Sequence, residues 1–182
     1  MKVMIVVTHL LGTGHLTRAL TLGRAFAAAG DQVVLVSGGA PVGHLDFDGV
    51  DLVQLPPLTS DGVDFSRLLT AEGAVADAVY LDARQGALTD AFARARPDLL
   101  ITELFPFGRR ILRAEFTALL DAAKAATVPV LSSVRDILAP PSKPAKAALA
   151  DDLVAAKLAV SGRWQHRPRR RSARPRPCKL HR

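Results

Sequence analysis

His15 is the residue of this chain whose neighbours best equip it for chemistry. It follows Gly12-Thr13-Gly14, with the apolar run Val3-Met4-Ile5-Val6-Val7 before it and a long amphipathic pattern after it. A strand, a glycine turn and a helix N-terminus make an anion site. The glycines let the backbone turn sharply and approach a ligand, and the first N–H groups of a helix starting near Leu16 point at whatever sits there. An imidazole at the mouth of such a site can act on a bound hydroxyl. The turn lacks a third glycine at Thr17, and Ser37-Gly38-Gly39 stands where an acidic residue would read a ribose, so dinucleotide binding is not expected. No Gly-Lys-Ser/Thr follows Gly14, so neither is a nucleotide-hydrolysing P-loop. A plainer alternative stays open: the glycines only shape a turn, and His15 caps the helix.

Other residues join His15 through the order of elements. After the turn, Leu16, Ala19, Leu20, Gly23, Phe26 and Ala27 fall on one helical face, and Gly30 supplies a C-terminal cap. Val33 to Val36 is uniformly apolar, as a strand covered on both faces should be. A short strand is expected over 51–55, a turn at Pro56-Pro57, and helix-like segments between about Ser66 and Arg96. Pro97-Asp98 introduces a strand over 99–102 that leads into Glu103. A helix follows over 108–126, then a strand over 128–131 with Ser132-Ser133-Val134-Arg135-Asp136 at its end. This alternation predicts an α/β fold: a doubly wound, mostly parallel, Rossmann-like sheet, whose ligands bind beyond the carboxyl ends of the strands. His15, Gly38, Glu103 and Arg135 all map to that edge. Arg109, Arg110 and Arg113 crowd the first turns of a helix whose dipole disfavours cations there. They call for an anion, either a bound phosphate or sugar acid, or the carboxylates of Glu103 and Glu115 as ordinary ion pairs.

Composition bounds the class. The chain has 182 residues, 49% of them hydrophobic, enough for one domain with a full core. No apolar run reaches the ~18 residues that would indicate a membrane span, and the N-terminal run is broken too early for a secretory signal, so a cytoplasmic location is expected. Peripheral membrane contact is left open. Cys178 is the single cysteine, which excludes an intrachain disulfide and a cysteine-based metal site. The net charge of +7 is misleading as an average. Residues 163–182 hold nine of the 24 basic and none of the 17 acidic residues, so the first 162 carry a net −2. Sequence-specific nucleic-acid binding is therefore not expected of the domain, although the tail can attract a polyanion. From Gly162 onward periodicity stops. We expect two regions, a domain over 1–158 and a disordered basic tail over 159–182 that reads like a GC-rich frame translated out of register.

Taken in order, the glycine turn 12–15, Ser37-Gly38-Gly39, Ile101-Thr102-Glu103-Leu104-Phe105-Pro106-Phe107-Gly108-Arg109-Arg110 and Ser132 to Leu138 resemble the N-terminal half of a bacterial glycosyltransferase. The class is GT-B, related to the MurG-like and family 28 transferases, and the resemblance covers about residues 1–156. It implies two Rossmann-like domains in the full-length enzyme, the first holding a hydroxyl acceptor and the second most of a nucleotide-sugar donor. It also implies that His15 is the base, or assists it, and that Glu103 orients His15 or binds acceptor hydroxyls. Gly12, Thr13, Gly14, Gly38, Arg109 and Arg135 would meet phosphate or acceptor groups. No metal and no cofactor are required. The donor domain should follow a helix near 145–158, where the basic tail stands instead, so the chain alone is expected to transfer little sugar. Half of a nucleotide-sugar epimerase, and a stand-alone binding module with a basic tail, are the alternatives.

Overall fold

The computed structural model describes residues 1–63, 67–134, 148 and 151–155. Five strands form one parallel sheet: β1 (Lys2–Val7), β2 (Gln32–Ser37), β3 (Asp51–Gln54), β4 (Leu99–Glu103) and β5 (Val130–Ser133), in the order β3-β2-β1-β4-β5. Helices α1 (Gly14–Ala28), α2 (Ala78–Ala95) and α3 (Arg113–Ala125) cover it, the last preceded by a 3-10 turn over Arg110–Leu112. Residues 148 and 151–155 are also helical, and Leu153 is buried in the core.

Side-chain alternation along β1 explains the layering. Val3, Ile5 and Val7 join Leu16, Ala19, Leu20, Val33 and Leu35 under α1. Met4 and Val6 point the other way, into a cluster with Leu88, Phe92, Phe116, Leu119 and Leu120 of α2 and α3. A strand covered on both faces has no polar side to show, which is why β1 reads as an unbroken apolar run. Gly23 lies where α1 crosses β2, since a Cβ there would stand 3.2 Å from Val33 Cγ1. Gly30, with φ 90°, ends α1 as expected.

The chain winds outward from β1 to β2 and β3, then returns through α2 to lay β4 on the other side of β1. The direction of winding therefore reverses between β1 and β4, and the crevice beyond their carboxyl ends is where such sheets take ligands.

Several boundaries differ from the sequence reading. Helix α1 begins at Gly14, and Thr13 rather than His15 is its N-cap. The expected helical stretch 66–96 is helical only over Ala78–Ala95. Before it the described residues make an extended strap with isolated bridges Thr59–Leu69 and Leu69–Val75. Asp77 decides the start of α2, because its carboxylate caps the Tyr80 N–H. Arg135, residues 156–182 and with them the basic tail and its boundary at 158–159 lie outside the described residues.

Candidate functional site

Among the described residues, no side chain caps the start of α1 after the turn that follows β1. Thr13 makes no side-chain cap, and no acidic residue stands in the first turn. Instead, the Thr17 and Thr21 hydroxyls donate back to the carbonyls of Thr13 and Thr17. A methyl group added at Gly12 or Gly14 would meet none of the described residues within 4 Å. Neither glycine has a positive φ, so open space, not backbone conformation, distinguishes this turn.

His15 is the second residue of α1, and its ring crosses to the end of β4. Nδ1 lies 3.2 Å from Glu103 Oε1, across 88 residues of sequence. Against an ionised carboxylate, which only accepts, Nδ1 is the donor, and in the neutral ring the lone pair then falls on Nε2. The ring is 27% exposed and the carboxylate 2%, which leaves the imidazole reachable while its orienting partner is shielded. One turn along α1, Arg18 shares that carboxylate at 3.5 Å and reaches Ser133 Oγ at 3.3 Å and the Val134 carbonyl at 2.8 Å. It ties α1 to the end of β5. Among the described residues, Glu103 Oε2 is buried without a hydrogen-bond partner.

Arg109 closes the other side. The turn from Glu103 is folded by left-handed backbone at Leu104 (φ 69°) and Arg109 (φ 57°), a conformation that costs a non-glycine residue about 1–2 kcal/mol. What over-determines it is a dense set of bonds. The Phe105 carbonyl accepts from Thr102 Oγ1 at 2.9 Å and Ser132 Oγ at 2.7 Å, and the Phe105 ring stacks on Phe116 at 4.7 Å. Arg109 Nε then donates to the Thr8 carbonyl at 2.6 Å. Burial lowers the Arg109 pKa from its ordinary value, and the Glu103 charge opposes that shift. His9, also buried, donates from Nε2 to the Ala40 carbonyl at 3.0 Å. Burial chiefly lowers its pKa; the Ala40 contact opposes this, while Arg109 and His15 add to it.

Gly38 has a different neighbourhood from the turn glycines. A Cβ on it would overlap the Arg84 guanidinium and the Thr8 hydroxyl, and one on Gly39 would overlap the His9 carbonyl and ring. Both are glycine because the protein itself fills the space beside them. Glu115 corrects an expectation: it pairs not with Arg109, Arg110 or Arg113 but with Arg84 of α2, Nε to Oε2 at 2.7 Å. Helix α3 turns Glu115 inward with Phe116 and Leu119, away from exposed Arg110 and Arg113.

His15, Glu103, Arg109 and the glycine turn thus lie at one edge; of the four residues the sequence reading mapped there, His15 and Glu103 are in contact, Gly38 is packed against Arg84 and Thr8, and Arg135 lies outside the described residues. That reading passed over His9, Arg18 and Arg84. Arg18 was recoverable, three residues after His15 on the same helix face. A shallow hollow of about 800 Å³ lies at the opposite edge, between the C-terminal ends of α2 and α3. Phe92, Ala93, Ala122 and Val128 line it together with Asp90 and Arg96. Among the described residues no group of His, Cys, Asp and Glu could hold a metal ion, and no helix is long and apolar enough to cross a membrane.

No protein-family model matches this chain, and no curated protein matches it in sequence. Solved structures match it in fold. SsfS6, a glycosyltransferase of Streptomyces sp. SF2575, superposes with a TM-score of 0.52 at 16% identity, over 87% of this chain and 47% of its own. MurG of Acinetobacter baumannii gives 0.48 at 18% identity, over 82% of this chain and 39% of its own. The glycosyltransferase VinC, solved in complex with dTDP, gives 0.48 at 16% identity, over 87% and 40%. The chain spans about half the length of SsfS6, and it shares with that glycosyltransferase an α/β, Rossmann-like fold.

Proposed function

We propose that this chain is the acceptor-side half of a GT-B glycosyltransferase, with His15 as the base. The observation that carries the proposal is the 3.2 Å contact that fixes Nδ1 of a reachable imidazole on the shielded carboxylate of Glu103. An acceptor hydroxyl gives its proton to His15 Nε2 while its oxygen bonds to the anomeric carbon of the donor sugar. The bond from that carbon to the nucleoside diphosphate breaks, and its electron pair leaves with the diphosphate. Glu103 holds the ring and stabilises the imidazolium that forms. The open N–H groups at the start of α1 face the charge that develops, a task for which helix N-termini are suited. SsfS6 is a glycosyltransferase about twice as long, so the chain by itself is expected to transfer little sugar.

The test has two parts. In NMR titrations of the 182-residue chain with a panel of hydroxyl acceptors, at least one should perturb the His15 ring, and His15→Ala should remove the response. In a polypeptide that carries this domain together with a donor-binding domain, His15→Ala should lower kcat by about 10²–10⁴-fold. Efficient transfer by the 182-residue chain alone, or transfer indifferent to His15→Ala, sinks the proposal.

A further inference from the structure

We infer that Arg84, a residue with no access to the candidate site, is a positioning residue for it, acting through Thr8 and Arg109. Arg84 is fully buried in α2, and all five of its N–H groups have acceptors. Nε and Nη2 take the two oxygens of Glu115 at 2.7 and 3.3 Å. Nη1 reaches the Gly38 carbonyl at 2.9 Å and the Pro56 carbonyl. Nη2 also takes Thr8 Oγ1 at 3.0 Å. One side chain therefore holds the backbone just beyond β1, β2 and β3, which are neighbours in the sheet but far apart in sequence.

Thr8 is the link to the site. Its hydroxyl is held from below by Arg84 and its carbonyl from the side by Arg109 Nε. Arg109 ends the left-handed turn that begins just after Glu103, and Glu103 holds His15. Both arginines grip one residue that precedes the glycine turn by four positions. If that residue shifts, the turn and the Arg109 charge shift with it. A lysine at position 84 could still pair with Glu115, but three donors on one nitrogen cannot span acceptors that a planar fork reaches in three directions. Charge alone is therefore not enough; the fork is needed.

The consequence rests on the assignment of His15 and Glu103 as the reactive pair, but the test does not need sugar transfer. It reads the tautomer of His15 from its ring ¹⁵N shifts in the 182-residue chain. Thr8→Val keeps the shape and removes only the hydroxyl, leaving the Arg84–Glu115 pair in place. It should move the His15 tautomer ratio toward the Nε2-protonated ring by about twofold or more, and expose the Arg109 Nε–H to faster exchange. Thr8→Ser, which restores the hydroxyl, should return both readings to the parent values, and Arg84→Lys should behave as Thr8→Val does. The inference is overturned if Thr8→Val and Arg84→Lys fold with His15 and Arg109 signals matching the parent. It is equally overturned if Thr8→Val fails to fold, since the hydroxyl would then serve folding alone. A chain in which these shifts occur while His15→Ala spares transfer would refute the proposed function and keep the positioning role.

Discussion

Glu115 and Glu103 are buried to nearly the same degree, at 4% and 2% exposure, and yet they serve opposite ends. Glu115 has both oxygens on Arg84, in a knot where five donors meet their acceptors and nothing is left to bind. Glu103 shares one oxygen between His15 and Arg18, and the other has no partner among the described residues. The same division runs through the glycines: Gly38 and Gly39 are filled by the protein, whereas Gly12 and Gly14 face open space. Closed polar groups hold the edge of the sheet together, and the open ones next to them keep unused hydrogen-bonding capacity. Burial alone cannot tell the two apart; the count of satisfied donors and acceptors can.

The largest effect should come from breaking the closed side. Glu115→Leu leaves the Arg84 charge buried without its counter-ion and should cost about 3–5 kcal/mol in chemical denaturation. Replacing both partners together, as Arg84→Met with Glu115→Leu, should recover most of that loss. A single variant as stable as the parent would mean that water or another acceptor reaches Arg84, and the knot is not closed.

Next in size is the contrast between the two pairs of glycines. Gly39→Ala puts a methyl group into the His9 carbonyl and should lower stability by about 1–3 kcal/mol, as overpacking does. Gly12→Ala meets nothing and should change stability by no more than about 0.5 kcal/mol. Equal thermal shifts for the two variants would erase the distinction between a filled turn and an open one.

The smallest effect sharpens the boundary between the regions, where His9 lies. Its pKa is lowered in the folded chain, chiefly by burial, from an ordinary value of 6.5. As pH falls through about 6.5 the unfolded chain takes up a proton that the folded ring refuses, so stability drops. The drop continues until the folded ring itself protonates. Melting curves between about pH 7.5 and 5 should show a shallower decline for His9→Gln than for the parent. Parallel curves would mean that His9 is not shielded and belongs to the open side.

Much of this was legible in the residues. The apolar runs that became β1, β2 and β4, the helical face from Leu16 to Ala27, and the cap at Gly30 follow from local periodicity and backbone preference. These act over a few residues and so can be read from a few residues. The placement of His15 and Glu103 at one sheet edge also followed, because a parallel sheet puts the end of every strand on the same side. The long strap before α2 was misread because its Ala- and Leu-bearing segments suit either structure, and only the Asp77 cap and the bridges to Thr59 and Val75 settle where the helix begins.

Partnership was not legible. Glu115 stands two residues from Arg113 and 31 from Arg84, and it is Arg84 that it meets. Arg84 shares a helical face with Leu88, Ala91 and Ala95, so periodicity marked the position as inward but not what it would find there. The sequence alone determined most of the strands and helices, the stretch before α2 excepted, and that His15 and Glu103 share a sheet edge, because those depend on local pattern and on the direction of the strands. Only the tertiary structure decided which carboxylate is spent and which is open, because a charge is satisfied by whichever groups packing brings within hydrogen-bond reach, whatever their distance along the chain.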